Sequence, residues 1–265
     1  MLRYLISKTE KLSRKFFRPR VVVGVPSGIT NVEMRAVYDA TKEAGAREVY
    51  LVEEPMASAI GIRLPVKDPV GSMVIDIGGG TVDIAVISLG GIVQSKNLKI
   101  AGDKLNQDVM SYMRDEFKLL IGEKTAESIK MAVGTAQAGP EPLETHVKGR
   151  DLITGLPREI IVTDADIREA ISNSIMILVD SVKEVLQKTP PEILGDVMKR
   201  GVHVSGGGAL IRGLKDLLHE SLRIPVYIAD DPLSCVARGC GIILDDLEAY
   251  EDVLVRDNSE LSSRK

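Results

Sequence analysis

The 265 residues carry 44% hydrophobic and 27% charged side chains and a formal net charge of −4. That length can bury one large core or two modest ones, which argues against disorder over most of the chain. The mild acidity argues against a general nucleic-acid surface, which is built from clustered lysine and arginine.

Cys235 and Cys240 lie five residues apart on a predicted helix, point in different directions, and read as thiols of a reducing compartment. His146, His203 and His219 are scattered without ligand spacing, so a zinc site is not expected. There is no apolar run of bilayer length and no secretory signal pattern, so the expected location is the cytoplasm.

The chain begins "MLRYLISKTEKLSRKFFRPR", with seven basic residues against Glu10. Leu2, Leu5, Thr9, Leu12 and Phe16 repeat at helical spacing. This basic amphipathic helix is read as covering a core, with an acidic membrane surface or a transit peptide as the alternatives. Val21 to Val25 form a buried strand, and Arg35 to Ala44 a helix that Ser27 or Thr30 could cap and Gly45 ends. Val49 to Val52 give a second strand, with Glu53 and Glu54 at its carboxyl end, where open α/β sheets place ligands. Pro55 opens the next helix.

In "VIDIGGGTVDIAVI", Val74 to Ile77 and Val82 to Val86 flank three glycines as a hairpin. Glycine backbone can approach an anion closely and aim several N–H groups at it, which suits a phosphate chain. On this stretch alone, a hairpin that binds nothing remains the alternative. Ile92 to Ile100 returns as a third strand, predicting an antiparallel meander attached to the parallel unit in one mixed sheet.

Gly102 to Ala136 reads as largely helical, with Leu105, Val109, Met113, Phe117 and Leu120 as its stripe. A polar, turn-rich region with short strands at Glu144 to Val147 and Glu159 to Val162 follows. Thr163 to Asp166 predicts a capping box for a helix through Lys188, and Pro190-Pro191 starts another that ends near Gly201. "VHVSGGGALIRGLKDLL" then repeats strand and glycines, with a helix predicted from Ala209 whose N-terminus would favour anions. Two similar helix starts, "EPMASAIG" from Glu54 and "DPLSCVARGCG" from Asp231, suggest a duplication. Their small residues, Ala57, Ala59 and Gly61 against Ala237, Gly239 and Gly241, predict a close helix crossing.

Together, "DIGGGTVDIAVI", "SGGGALIRGL", "EEPMASAIG" and "DPLSCVARGCG" resemble the second phosphate loop, the adenosine motif and the two interdomain helices of the MreB family. These are bacterial actin homologues of the actin, DnaK-type chaperone and sugar kinase superfamily, and "GEKTAESIK" favours them over its other members. The resemblance implies an α/β, actin-like ATPase fold with ribonuclease H-like mixed sheets. It implies residues 1–64 as the remaining part of a first domain, 65–247 as a second with an insert around 123–200, and 248–265 as a tail.

It also implies ATP and magnesium as cofactors, self-association into filaments, and work with cell-wall morphogenesis proteins at the inner membrane surface to set cell shape. Gly78, Gly79, Gly80 and Thr81 would hold the β and γ phosphates. Asp76 would orient magnesium through water, and Glu54 would position the attacking water. Glu127 and Lys130, otherwise a solvated helix face, would contact ribose and adenine, while Gly206, Gly207, Gly208 and Ala209 would pass beneath the nucleoside.

The chain departs from the family at its start, where no DxGT loop precedes Arg20. The helix from Leu2 to Phe17 resembles a segment inside the family's first domain, so an N-terminally truncated form of a slow ATPase is expected. The alternatives are a non-catalytic interaction fragment, and a sugar kinase, for which no sugar pocket with a catalytic aspartate is identifiable. A chaperone is disfavoured because no substrate-binding β-domain follows residue 247.

Overall fold

A computed structural model describes residues 2–9 and 18–255. Helix α1 (Leu2–Thr9) buries Ile6 while Leu5 is 52% exposed, so its inward face lies one residue away from the expected stripe; Leu12 and Phe16 lie outside the described residues. Strand β1 (Arg20–Val25), helix α2 (Asn31–Glu43) and strand β2 (Glu48–Glu53) form a βαβ unit whose strands pair in parallel, Val25 opposite Glu53. Thr30, rather than Ser27, caps α2. Its hydroxyl accepts the Glu33 N–H, and the Glu33 carboxylate accepts the Thr30 N–H. Helix α3 (Glu54–Gly61) follows directly, with Pro55 in its first turn and every residue from Pro55 to Gly61 buried.

The chain continues through β3 (Ser72–Ile77), β4 (Val82–Ser88), β5 (Gly91–Leu98), α4 (Gly102–Asp115), β6 (Leu119–Leu120) and α5 (Glu123–Val133). The hairpin β7 (Glu144–Asp151) and β8 (Pro157–Thr163), α6 (Asp164–Lys188) and α7 (Pro191–Arg200) come next. Then follow β9 (Val202–Ser205), α8 (Leu214–Leu222), β10 (Val226–Ile228) and α9 (Cys235–Asp245).

The strands form a mixed five-stranded sheet in the order β10-β9-β3-β4-β5, a three-stranded sheet β6-β7-β8, and the separate pair β1-β2. The meander therefore does not join the β1–β2 unit in one sheet, as expected. β3 has two edges, and β4 takes one antiparallel while β9 takes the other in parallel. Helix α3 packs on α9 and lies between the β1–β2 pair and the five-stranded sheet, where it meets β3 and β4.

The stretch expected to be largely helical from Gly102 to Ala136 is two helices, interrupted after Asp115. Lys118 adopts a left-handed φ of 53° and the chain turns into β6, which pairs with Asp151 and Arg150 of β7. Leu105, Val109 and Met113 keep the inward stripe, but Leu120 is 47% exposed. The β7–β8 hairpin is longer than predicted, and Gly149 lets β6 lie close to it: a Cβ there would sit 2.7 Å from Leu119 Cγ. The Thr163 to Asp166 capping box forms as read and starts α6.

Two helix starts differ from expectation. After Gly206 the chain makes a 3-10 turn, Gly207–Leu210, and α8 begins only after Gly213, which caps it at a φ of +72°. The segment at Asp231 likewise opens with a 3-10 turn, Pro232–Ser234, before α9.

The predicted close crossing of α3 and α9 is real but narrower. A Cβ on Gly61 would lie 1.9 Å from Cys235 O, and one on Gly239 would lie 1.8 Å from Ala57 O, so the two backbones touch. Ala237 and Gly241 face outward, because the inner face of α9 is the i, i+4 row Cys235, Gly239, Ile243. After α9 the chain returns to the first unit: Leu254 bridges Val52, and Val255 donates its N–H to Leu51 O. Among the described residues, no helix is long and apolar enough to cross a membrane.

Candidate functional site

The β3–β4 turn closes on itself through a Gly78 N–H to Thr81 O bond of 2.9 Å. Its carbonyls are taken by the start of α4, with Gly102 N–H on Gly78 O at 3.1 Å and Asp103 N–H on Gly79 O at 2.8 Å. The N–H groups of Gly79 and Gly80 donate to no protein acceptor among the described residues, and both glycines are exposed. Neither has a positive φ. A Cβ on Gly79 would meet nothing closer than Asp103 Oδ1 at 3.8 Å, and one on Gly80 nothing closer than Asp103 Oδ2 at 4.0 Å. The protein's own packing and backbone therefore do not require glycine at 79 and 80; what glycine leaves there is open space over two free donors.

Four carboxylates gather behind this turn. Asp76 and Asp83 lie directly opposite one another on β3 and β4. Asp83, 1% exposed, accepts the Ser27 N–H at 2.9 Å from the loop after β1 and the Asn97 Nδ2 at 3.0 Å from β5. The Glu54 carboxyl, at the start of α3, is pushed up to about 7 by burial and by the charges of Asp83 and Asp76. Burial also raises Glu53, against a Gly28 N–H that favours its charged form, and Glu53 lines a cavity of about 320 Å³ with Gly28, Ile29, Met34 and Met56. Asp76 is raised by burial, partly offset by a hydroxyl donor from Ser205. That oxygen stands between two other groups, donating to Asp76 Oδ1 at 2.7 Å and lying 2.6 Å from Ser58 Oγ on α3. The Ser27 hydroxyl is buried without a partner among the described residues.

Lys130, half-buried on α5, donates to Gly102 O at 3.0 Å, one residue from the carbonyl-bonded end of the glycine turn. Burial lowers its ammonium, against the charges of Glu127 and Asp103. Glu127 is exposed one helical turn away. The second glycine triplet reaches the same place from β9, since a Cβ on Gly206 would lie 2.3 Å from Ile77 O and one on Gly208 2.1 Å from Ile77 Cγ2. Gly207 is the member with room, its nearest neighbour being Leu233 Cδ2 at 3.4 Å, and Ala209 is buried.

The structure thus brings Gly78, Gly79, Gly80, Thr81, Asp76, Glu54, Lys130 and Gly206 to Ala209 around one end of the five-stranded sheet, with Glu127 at its margin. Sequence reasoning missed Asp83, Ser205, Ser58 and Ser27. The signal for Asp83 was available, as a charged residue in an otherwise apolar strand run, and for Ser58 as the hydroxyl in a helix of small apolar residues.

A family model described as "MreB/Mbl protein" matches residues 1–252. The chain is 45% identical over 248 residues to the cell shape-determining protein Mbl of Bacillus subtilis, covering 94% of this chain and 74% of that one. It is 46% identical over 252 residues to the cell shape-determining protein MreB of Escherichia coli K12, covering 94% and 72%. Among solved structures, MreB5 of Spiroplasma citri bound to ADP superposes with a TM-score of 0.88 at 36% identity, covering 95% of this chain and 74% of that one. The MamK double helical filament, at 21% identity and a TM-score of 0.79 over 92% of this chain and 74% of that one, shares the fold.

Proposed function

The chain belongs to the MreB/Mbl family of actin-like cell shape proteins, and on that premise we propose that it binds ATP with magnesium at the β3–β4 turn and assembles with copies of itself into filaments. The observation that carries the reading is the pair Gly79 and Gly80, whose missing side chains serve no need of the fold and leave two free N–H donors in open space. The related MreB5 of Spiroplasma citri, bound to ADP in one crystal structure and to AMPPNP in another, supports a nucleotide there.

In this reading Gly78 to Thr81 hold the β and γ phosphates, Lys130 and Glu127 reach adenine and ribose, and Gly206 to Ala209 pass beneath the nucleoside. The nucleotide would lie between a first domain, 1–64, and a second, 65–247. Among the described residues no His, Cys, Asp or Glu cluster is arranged as a metal cage. Asp76 fits a cation held mostly by phosphate and water, with its Oδ1 occupied by Ser205 and no protein donor on its Oδ2 among the described residues. The bound magnesium supplies charge compensation for the phosphates. Glu54, titrating near neutrality, suits a group that orients a water and takes its proton. The chain's place would be the cytoplasm and inner membrane surface, with cell-wall morphogenesis proteins as partners.

Calorimetry with magnesium-ATP tests the site. Gly79→Val should fold as the wild type does and abolish measurable affinity; an unchanged affinity would remove the turn from the assignment. Light scattering and electron microscopy with and without magnesium-ATP test assembly, and a chain that stays monomeric in both at high concentration would count against filament formation.

A further inference from the structure

We infer that the open edge of β7, with α5 as its opposite wall, takes an extended peptide segment of a partner protein as an added strand, one in which apolar residues alternate with acidic ones. The inference is independent of the nucleotide reading. It concerns the three-stranded sheet. Strand β6 covers only the far end of β7, pairing Leu119 with Asp151 and Leu120 with Arg150. On its other side β7 pairs with β8 along its length, from Glu144 to Arg150. An antiparallel strand turns the N–H and C=O of every second residue to each side, so the stretch from Thr145 to Lys148 also presents backbone groups to the side away from β8. Among the described residues, no backbone group bonds them there.

What stands beside that edge is space. A cavity of about 400 Å³ is lined by the four consecutive residues Thr145 to Lys148. Successive side chains of a strand point to opposite faces, so a space that touches all four runs along the edge and not over one face. Its opposite wall is Thr125, Ser128 and Ile129 of α5. Lys130, which bonds Gly102 O, points away from Thr125 and Ser128 around the helix, so the groove is separate from the glycine turn.

The side chains select the strand. On the inner side Val147 is 2% and Ile129 3% exposed, an apolar floor. On the outer side His146 and Lys148 share one carboxylate, with Glu159 Oε1 3.4 Å from His146 Nδ1 and Oε2 3.7 Å from Lys148 Nζ. Glu159 stands directly opposite Lys148 on β8. An acidic residue in the same position on the open side would pair with Lys148 across the new ladder as Glu159 does across the old one. Its neighbour in the added strand would then face Val147 and Ile129. Main-chain bonds supply the affinity of such a complex, and the alternation supplies its selectivity.

The probe is a capped peptide of about six residues alternating valine and glutamate, added to the full chain without nucleotide. Hydrogen exchange should slow at Thr145 to Lys148, and the anisotropy of labelled peptide should saturate. The same side chains on a backbone N-methylated throughout should not bind, because the ladder donors are gone. Lys148→Glu, at a side chain 78% exposed, should weaken binding about fivefold. Ser128→Arg, which fills the groove from α5, should abolish it, and both variants should keep the wild-type denaturation midpoint. No slowing of exchange in wild type at millimolar peptide, or binding untouched by both substitutions, overturns the proposal. So does protection of Thr145 to Lys148 that grows with protein concentration in the absence of peptide and is lost in Ser128→Arg, which would make the occupant a second copy of this chain.

Discussion

The two glycine triplets look alike in the sequence and do different work. In Gly78 to Gly80 the second and third members stand in open space with their N–H groups free, whereas in Gly206 to Gly208 the first and third press against Ile77, with Gly206 at a φ of +80°. One triplet is empty so that something else can enter; the other is empty because the end of β3 already fills it. A glycine motif thus marks close approach without saying whether the approaching group is a ligand or the protein itself.

The largest expected effect breaks the comparison at its packed side. Gly206→Ala places a methyl 2.3 Å from the Ile77 carbonyl oxygen on a left-handed backbone and should cost about 3 kcal/mol or more, read as a fall in chemical denaturation midpoint. Gly79→Ala, in open space, should leave that midpoint within about 0.5 kcal/mol of wild type. Equal losses at both positions would erase the distinction.

A smaller effect comes from the carboxylates behind the open triplet. Glu54 titrates near 7 in the folded protein against an ordinary 4.5. Between those values the folded protein holds a proton that the unfolded chain has released, so stability is greatest below the window and falls as pH rises through it. Thermal melts from about pH 5 to about pH 8 should show that decline, and Glu54→Gln should flatten it. Burial of Asp76 and Glu53 moves both in the same direction, so part of the slope should survive.

Next in size is Thr163→Ala, which removes the hydroxyl that accepts the Asp166 N–H at the start of α6. It should cost about 1 kcal/mol in denaturant titration without moving nucleotide affinity.

The smallest effect sharpens the contrast between packed and open glycines on one helix. Gly241, exposed on α9 with nothing within 4 Å, should tolerate Gly241→Ala with a gain of about 0.5–1 kcal/mol. Gly239→Ala, two residues earlier, should be destabilising because its methyl would meet Ala57 O.

Much of this was legible in the residues. The strand runs, the capping box at Thr163, the helix from Pro55 and the turn at Gly78 to Gly80 follow from local patterns, and local patterns determined them; the box at Thr30 was read only as a choice of cap between Ser27 and Thr30. Sheet membership did not follow, because the choice of β9 over β1 as the second neighbour of β3 depends on residues more than a hundred positions away. The stripe was carried past Asp115 to Phe117 and Leu120 because the left-handed turn at Lys118 has no glycine to announce it. At the α3–α9 crossing, the small residues were counted without their angular positions, so Ala237 and Gly241 were included though they face away. Of the site residues missed in the sequence, Asp83 and Ser58 stood out by type in apolar runs, while their partners, like those of Ser205, lie on other elements, and single-sequence spacing carries no record of such partners.

The return of the chain to the first unit, where Leu254 bridges Val52 and Val255 bonds to Leu51, means that the β1–β2 pair and the five-stranded sheet are joined twice, once by the passage from α3 into β3 and again by the stretch after α9. A single strap would let one body slide, twist and swing against the other. Two straps side by side behave like the pins of a door: they leave swing as the easy motion and suppress the rest. A cut in the stretch between Asp245 and Val255 should therefore loosen the hold on the β1–β2 pair without disturbing the five-stranded sheet.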